Sequence, residues 1–402
     1  MNALVFAWRG LVRQPARAVL GIVGVAAASA LLFDMLLLSR GLMLSMQDLL
    51  DRGGFSVRVT ATEALPGTGP RIGQISETAA AIAALAAVDE AVPLRLAAAE
   101  IASDEGTEPL FVSFFAADSS HRRPWTIVDG RDVAGSGAST GEVLLNRQLA
   151  DLLGRRPGQA VKVRASCGAA GASTLPPIVL NVAGIAEFPF DDPSQLSAAT
   201  TLSDAMHACG DDRQDDADLI LVAGAEGAGA ESVRRAIQQS RPDLHAVTND
   251  EVVARLQRAE FSYFRQISAV LVAVTLSFAF LLITVLLTVS VNQRLGEIAA
   301  LRALGFSQRR VVADVICESA LIVGLGGALA LPLGLALARW LDRILKAMPG
   351  VPSELHFFIF QPRAVAVHIG LLAATAILAA LYPMRIVARL PIAATLRKEV
   401  VS

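Results

Sequence analysis

The side chains able to do chemistry are sparse in this 402-residue chain and seldom near one another. His121, His207, His245, His356 and His368 are scattered, and no His-Glu-x-x-His places two imidazoles one helical turn apart for zinc. His207-Ala-Cys209 followed by Asp211 offers metal-ligating types within a few residues, with an ordinary loop as the simpler alternative. The lysines are Lys162, Lys346 and Lys398, and none follows a glycine, so the Gly-Lys-Ser/Thr of a phosphate-binding loop is excluded and ATP is not bound by that route. The acidic run Asp211, Asp212, Asp215, Asp216 and Asp218 lacks the turn glycine and closing glutamate of a calcium loop, and it is expected to be a solvated connection. No nucleophile, metal or acid/base cluster emerges, no bound cofactor is expected, and an anchored enzyme is disfavoured.

The most patterned polar stretch is Val291-Asn-Gln-Arg-Leu-Gly-Glu-Ile-Ala-Ala-Leu-Arg-Ala-Leu-Gly-Phe306. On a helix, Arg294, Glu297, Ile298, Leu301 and Leu304 fall on one side, with Ala299, Ala300 and Ala303 mostly opposite. Charge and aliphatics share that face. A lipid surface segregates the two, whereas a protein groove favours the mixture. The competing expectation is a membrane-surface loop whose arginines only set topology. Gly305 can end this helix and Ser307 can cap the next.

Apolar runs surround this stretch. A hydrophobic content of 53%, a mean hydropathy of +0.52 and a formal charge of −2 describe a chain too apolar for an ordinary soluble protein and without the basic surface of a nucleic-acid binder. Four runs are long enough to cross a bilayer core of roughly 30 Å at 1.5 Å per helical residue: 18–38, 267–291, 311–338 and 364–384. The first, after Arg9, Arg13 and Arg17, suits an uncleaved anchor because it continues past Ala28-Ser-Ala30; a cleaved signal peptide is the rival. Asp34 can reach headgroups or the bundle interior, and an interfacial carboxylate is the simpler expectation. In the third run, Ala320, Gly324 and Ala328 recur every four residues, as in closely packed membrane helices, while Glu318 lies deep enough that it should face the bundle or a cavity. It serves either structural pairing or intramembrane coupling.

Basic residues orient the spans. Arg9, Arg13 and Arg17, then Arg294, Arg302, Arg309 and Arg310, then Arg385, Arg389, Arg397 and Lys398 would lie inside, against Arg339, Arg343, Lys346 and Arg363 outside. Both termini are expected in the cytoplasm. The expected order is a cytoplasmic segment (1–17), a first span (18–38), an extracytoplasmic domain (39–249), a stalk helix and second span without Pro or Gly from Glu251 to Arg294 (250–291), a coupling segment (292–310), a third span (311–338), an outer loop (339–363), a fourth span (364–384) and a tail (385–402).

The inserted region is large enough for a core or two subdomains. Strands are expected over 55–60, 110–115, 142–145, 160–164, 178–182 and 218–222, and helices over 76–88 with Ser76 as N-cap, 146–153 closed by Gly154, and 231–239, an α+β pattern. Asn249 or Asp250 can cap the stalk. Gly/Pro/Ser/Thr-rich pieces at 61–74, 134–141 and 166–177 read as loops. The fold expected is an α-helical membrane protein with four spans and a large α+β extracytoplasmic domain between the first and second. Of the cysteines, Cys317 lies in a span, and Cys167 and Cys209 either pair, if their region is extracytoplasmic, or remain free thiols.

Arg294-Leu-Gly-Glu-Ile-Ala-Ala-Leu-Arg-Ala-Leu-Gly305, Glu318-Ser-Ala with Gly326-Gly327, Leu381-Tyr-Pro383 and the tail Pro391-Ile-Ala-Ala-Thr-Leu-Arg-Lys-Glu399 together resemble the permease subunits of FtsX/MacB/LolC-type ABC transporters. The segments 141–154 and 182–185 look like the MacB-type periplasmic core domain. The resemblance implies a separate ABC ATPase dimer carrying ATP and magnesium, docked on the helix of Arg294, Glu297, Ile298, Leu301, Arg302, Leu304 and Gly305, with nucleotide-driven closure passed up the stalk. It further implies a second permease copy or a sister permease, membrane lipid, and a periplasmic adaptor or lipoprotein as partners, in a bacterial inner membrane. Export or extraction of a lipid, lipoprotein, peptide or drug-like molecule is the expected function. The alternative is an FtsX-like regulator that activates a cell-wall hydrolase.

Overall fold

The computed structural model describes residues 8–388 apart from 10, 13–14, 65–66, 68, 104–107, 119–120, 134–139, 167–175, 211–214, 260–261, 294–307, 349–350 and 353–354. The chain divides into two compact units. One holds 1–42, 260–343 and 356–402; the other holds 43–259 and 344–355.

The first unit is a helical bundle. Its helices are α1 (Pro15–Asp51, whose C-terminal turns belong to the second unit), α7 (Ser262–Gln293), α8 (Gln308–Lys346) and α9 (Pro362–Ala388). Among the described residues, four segments are long and apolar enough to cross a membrane: Ala18–Asp51, Gln266–Gln293, Ile316–Lys346 and Pro362–Arg385. Helix α1 has 37 residues, so at about 1.5 Å each it outruns a bilayer core and continues beyond residue 38 without a break.

Glycines show how the helices pass one another. A Cβ on Gly21 would lie 3.4 Å from Ile322, one on Gly326 would lie 2.7 Å from Val25, and one on Gly334 would lie 2.9 Å from Phe33. These contacts climb α1 and α8 together, so the two helices are parallel. Gly24 meets Leu282 and Gly21 meets Leu286, so α1 and α7 are antiparallel. Both pairs have the direction that successive crossings require. Pro332 lies inside α8 without ending it, as membrane helices tolerate when neighbours satisfy the freed carbonyl.

The second unit is the inserted α+β domain. Its strands are β1 (Val57–Thr60), β2 (Ile72–Gly73), β3 (Val88–Ala102), β4 (Leu110–Ala117), β5 (Thr126–Gly130), β6 (Glu142–Leu145), β7 (Ala160–Ser166), β8 (Ile178–Glu187), β9 (Ser197–Thr200), β10 (Asp216–Ala217), β11 (Leu219–Gly224) and β12 (His245–Thr248). Its helices are α2 (Ile75–Ala83), α3 (Arg147–Leu153), α4 (Leu202–Cys209), α5 (Ala230–Ser240) and α6 (Asn249–Ala259). The main sheet runs β12-β1-β11-β3-β4-β9-β6-β8-β5, and β7 pairs with both β3 and β8. The path β3-β4-β9-β6-β8-β7 therefore closes on itself. One hydrophobic core joins this ring to two helices, with Ile101, Phe114, Val143, Leu145, Val163 and Leu180 from the strands and Leu149 and Ala205 from α3 and α4. Closure leaves that part of the sheet without an open edge. A second core, with Val57, Val59, Ile220 and Val222, lies under α2 and α5.

Local chemistry explains several boundaries. Asn146 caps α3 by accepting from the Leu149 amide, and Gly154 ends it at φ 60°, which glycine adopts without penalty. Helix α2 departs from expectation: it starts at Ile75, and Gln74, at φ 51°, makes no side-chain cap. Asp215 caps it from a distant part of the chain, its carboxylate accepting from the Ser76 amide at 3.2 Å and hydroxyl at 2.7 Å. The expectation of a solvated acidic run holds for exposed Asp215 and is corrected for Asp216 and Asp218. Asp216 pairs with Arg95 at 2.8 Å and with Arg71 at 3.5 Å, and Asp218 accepts from the Leu96 amide at 2.7 Å. Arg95 is only 1% exposed, a charge that β3 can bury because Asp216 meets it. Asp211 and Asp212 lie outside the described residues.

Candidate functional site

Helix α7 ends at Gln293 and α8 begins at Gln308, so Arg294, Glu297, Ile298, Leu301, Arg302, Leu304 and Gly305 lie outside the described residues. What is described is the frame around that segment. Residues 260–261, where the stalk would run unbroken from α6 into α7, also lie outside it.

Glu318 lies on α8, 8% exposed, beside buried Ser319. Glu318, Ile322 and Gly326 recur every four residues and share one side of the helix, the side on which Ile322 and Gly326 meet α1. This is the bundle side, where an intramembrane carboxylate belongs.

Asp34 differs from expectation. It is 0% exposed and lies within the bundle rather than at its edge. Gly334 makes the room, since its ideal Cβ position is 3.5 Å from Asp34 Oδ1. Neither carboxylate oxygen has a hydrogen-bond partner among the described residues, and the same holds for Ser29 Oγ and both ring nitrogens of His368. His368, 1% exposed, meets the Phe33 ring edge-on at 5.4 Å. Phe33, Ala338 and Ala364 pack in the same small core. Here α1, α8 and α9 converge on polar groups that membrane bundles ordinarily pair. Hydropathy places Asp34 at a depth but says nothing of its rotation about α1, which the distant Gly334 decides.

In the inserted domain, Asn249 gathers the chain where it enters and leaves. Its amide nitrogen donates to the carbonyls of Leu50 at 3.3 Å and Phe55 at 2.8 Å and to the Asp51 carboxylate, and its amide oxygen accepts from Arg58. Gln47 of α1 donates to Asp250 at 2.6 Å. The last turn of α1 is thus tied to the first turn of α6 by short polar contacts. The sequence marked Asn249 only as a cap.

Among the described residues no further cluster of chemically active side chains forms. Cys209 is disulfide-bonded, which removes its sulfur from any ligand set with His207 and sets aside the free-thiol alternative for it; Cys167, the partner that the pairing alternative named, lies outside the described residues, and Cys317 is free. Among the described residues no group of three His, Cys, Asp or Glu could hold a metal. Contrary to a reading of the sequence as free of Gly-x-Ser-x-Gly, Gly137-Ala-Ser-Thr-Gly141 has that spacing; residues 137–139 lie outside the described residues, and the segment leads into strand β6, where a nucleophile elbow requires a helix.

Four helices long and apolar enough to cross a membrane, with an α+β domain inserted after the first, define a multi-span membrane protein. The FtsX-like permease C-terminal model matches residues 269–392, and the MacB-like periplasmic core domain model matches 18–240, more than half of the chain. The chain belongs to the FtsX/MacB-type permease family of ABC transporters. Among solved structures it is similar to the periplasmic region of MacB from Actinobacillus actinomycetemcomitans, at 9% identity and a TM-score of 0.38, covering 51% of this chain and 94% of that one. It is also similar to the extracellular domain of the noncanonic ABC-type transporter YknZ from Gram-positive bacteria, at 11% identity and a TM-score of 0.35, covering 48% and 98%. A domain of a permease protein from Porphyromonas gingivalis matches at 14% identity and a TM-score of 0.31, covering 48% and 88%. No curated protein matches it in sequence.

Proposed function

We propose that this chain is the permease subunit of an ABC transporter of the bacterial inner membrane, with both termini cytoplasmic. It couples ATP hydrolysis by a separate ATPase dimer to movement of its periplasmic domain, and so exports or extracts a lipid, lipoprotein, peptide or drug-like molecule. The permease acts as a dimer, with a second copy or a sister chain. The ATPase docks on the segment containing Glu297, Ile298, Leu301 and Arg302. The observation that carries the mechanical part is the Asn249 tie. Helix α1 is unbroken from Pro15 to Asp51, and its end is bonded to the start of α6, the helix preceding the second span. A displacement of either connection reaches the other within the domain through a few short hydrogen bonds.

The test is purification of the complex from its native membrane. Glu297→Lys and Leu301→Asp are expected to leave the permease inserted while abolishing co-purification of the ATPase and stimulation of its activity. Undiminished co-purification and stimulation would reject docking at this segment. Glu318→Gln is expected to lower transport with the complex intact; full transport would return Glu318 to a structural role.

A further inference from the structure

The domain holds a cavity that mechanical transmission does not require. It encloses about 270 Å³, near the lower end of the few hundred Å³ and upward typical of small-molecule sites. Its floor is one face of the sheet: Leu94 and Leu96 on β3 and Leu219 and Leu221 on β11 alternate toward it, Leu94 paired with Leu219 across the ladder. Trp125 and Phe188 form an aromatic wall, their rings 6.0 Å apart and edge-on.

The polar groups in this lining differ in how far they are satisfied. Asp191 accepts from the Ser197 hydroxyl at 2.7 Å and the Asn146 amide at 2.8 Å, and Gln195 donates to the Ser113 hydroxyl at 2.9 Å. Arg58 is different. Its hydrogen bonds go to neutral oxygens, the Asn249 amide and, at 3.5 Å, the Leu50 carbonyl, and no salt bridge reaches it among the described residues. Asp51 attracts it through space, yet burial outweighs that attraction and lowers its pKa to about 10. A half-buried guanidinium without a bonded anion, on the wall of an apolar cavity, recognises an acid with a hydrophobic body. A cation would meet Arg58 unfavourably, and a neutral ligand would leave its charge unmatched.

We propose that this cavity binds an anionic amphiphile, its aliphatic chain lying on the leucine floor against Trp125 and its acid group paired with Arg58. The inference rests on the transport reading only for the ligand's role as cargo. Size favours a single chain over a peptide.

The full-length protein in lipid nanodiscs, with Trp8→Phe and Trp340→Phe, keeps Trp125 as its sole tryptophan. ω-Brominated octanoate is expected to quench Trp125 saturably, and the matching bromo-octanol and bromo-octylammonium are not. Arg58→Gln should weaken the acid's apparent affinity by about tenfold or more, with Arg58→Lys within about threefold of the parent and both variants melting as folded proteins. A brominated octyl phosphate that binds tighter than the carboxylate would indicate a phospholipid head; the reverse order would indicate a fatty acid. Equal saturation by alcohol or ammonium, or an Arg58→Gln variant that binds like the parent, overturns the proposal. Quenching requires no ATPase, so its failure removes the site alone, whereas failed docking removes the transport reading and leaves the quench untouched.

Discussion

Two buried charges behave oppositely. Arg95 has its partner in Asp216, which keeps Arg71 at 3.5 Å, so Arg95→Ala removes one of two ion pairs and should cost about 1.5–3 kcal/mol in the domain's unfolding free energy, measured in urea. Asp34 has no hydrogen-bond partner among the described residues. Asp34→Asn, nearly isosteric and unable to ionise, should therefore raise thermal stability in nanodiscs, by an amount on the order of 1 kcal/mol. A lower melting temperature would mean that a partner had been lost. At this scale the sequence was only partly legible. It exposed Asp34 and Glu318 as carboxylates inside apolar runs, but the burial of Asp34 follows from Gly334 on another helix, and the pairing of Asp216 and capping by Asp215 follow from long-range strand contacts. Composition alone makes an acidic run look solvated.

Elements were legible where their ends carry chemistry. Helix α3, with Asn146 at one end and Gly154 at the other, and strand β6 stand where alternation and capping put them. Strand β3 escaped because Pro93 and the alanines of Leu96-Ala-Ala-Ala-Glu-Ile101 blur its alternation, and short β9 and α4 escaped because packing rather than periodicity defines them. The bundle glycines also divide by contact. Gly326 abuts Val25, whereas nothing lies within 4 Å of a Cβ at Gly324. Gly326→Leu should lower the melting temperature, with overpacking costing about 1–3 kcal/mol, while Gly324→Ala should be neutral or mildly stabilising through better helix propensity. Equal effects at the two positions would contradict the α1–α8 packing.

For the molecule as a whole, the four-span layout and the inserted α+β domain were legible because bilayer thickness imposes a length on every apolar run. The closure of β3 through β7 was not, because it depends on which strands meet rather than on where they begin. Thiol chemistry reports on compartment. Of the three cysteines, one is expected to react with maleimide in the denatured, unreduced protein from a native membrane, and three after reduction. Three reactive thiols before reduction would argue against an oxidising exterior for the domain. The antiparallel contact of α1 and α7, seen at Gly24 and Leu282, has an evolutionary corollary. The chain departs from the bundle and returns to it on adjacent helices, and Asn249 fastens the two ends of the intervening segment to each other. A segment whose ends are bonded to each other in this way can be exchanged as a cassette, with everything between 59 and 248 replaced while the apolar helices are inherited unchanged.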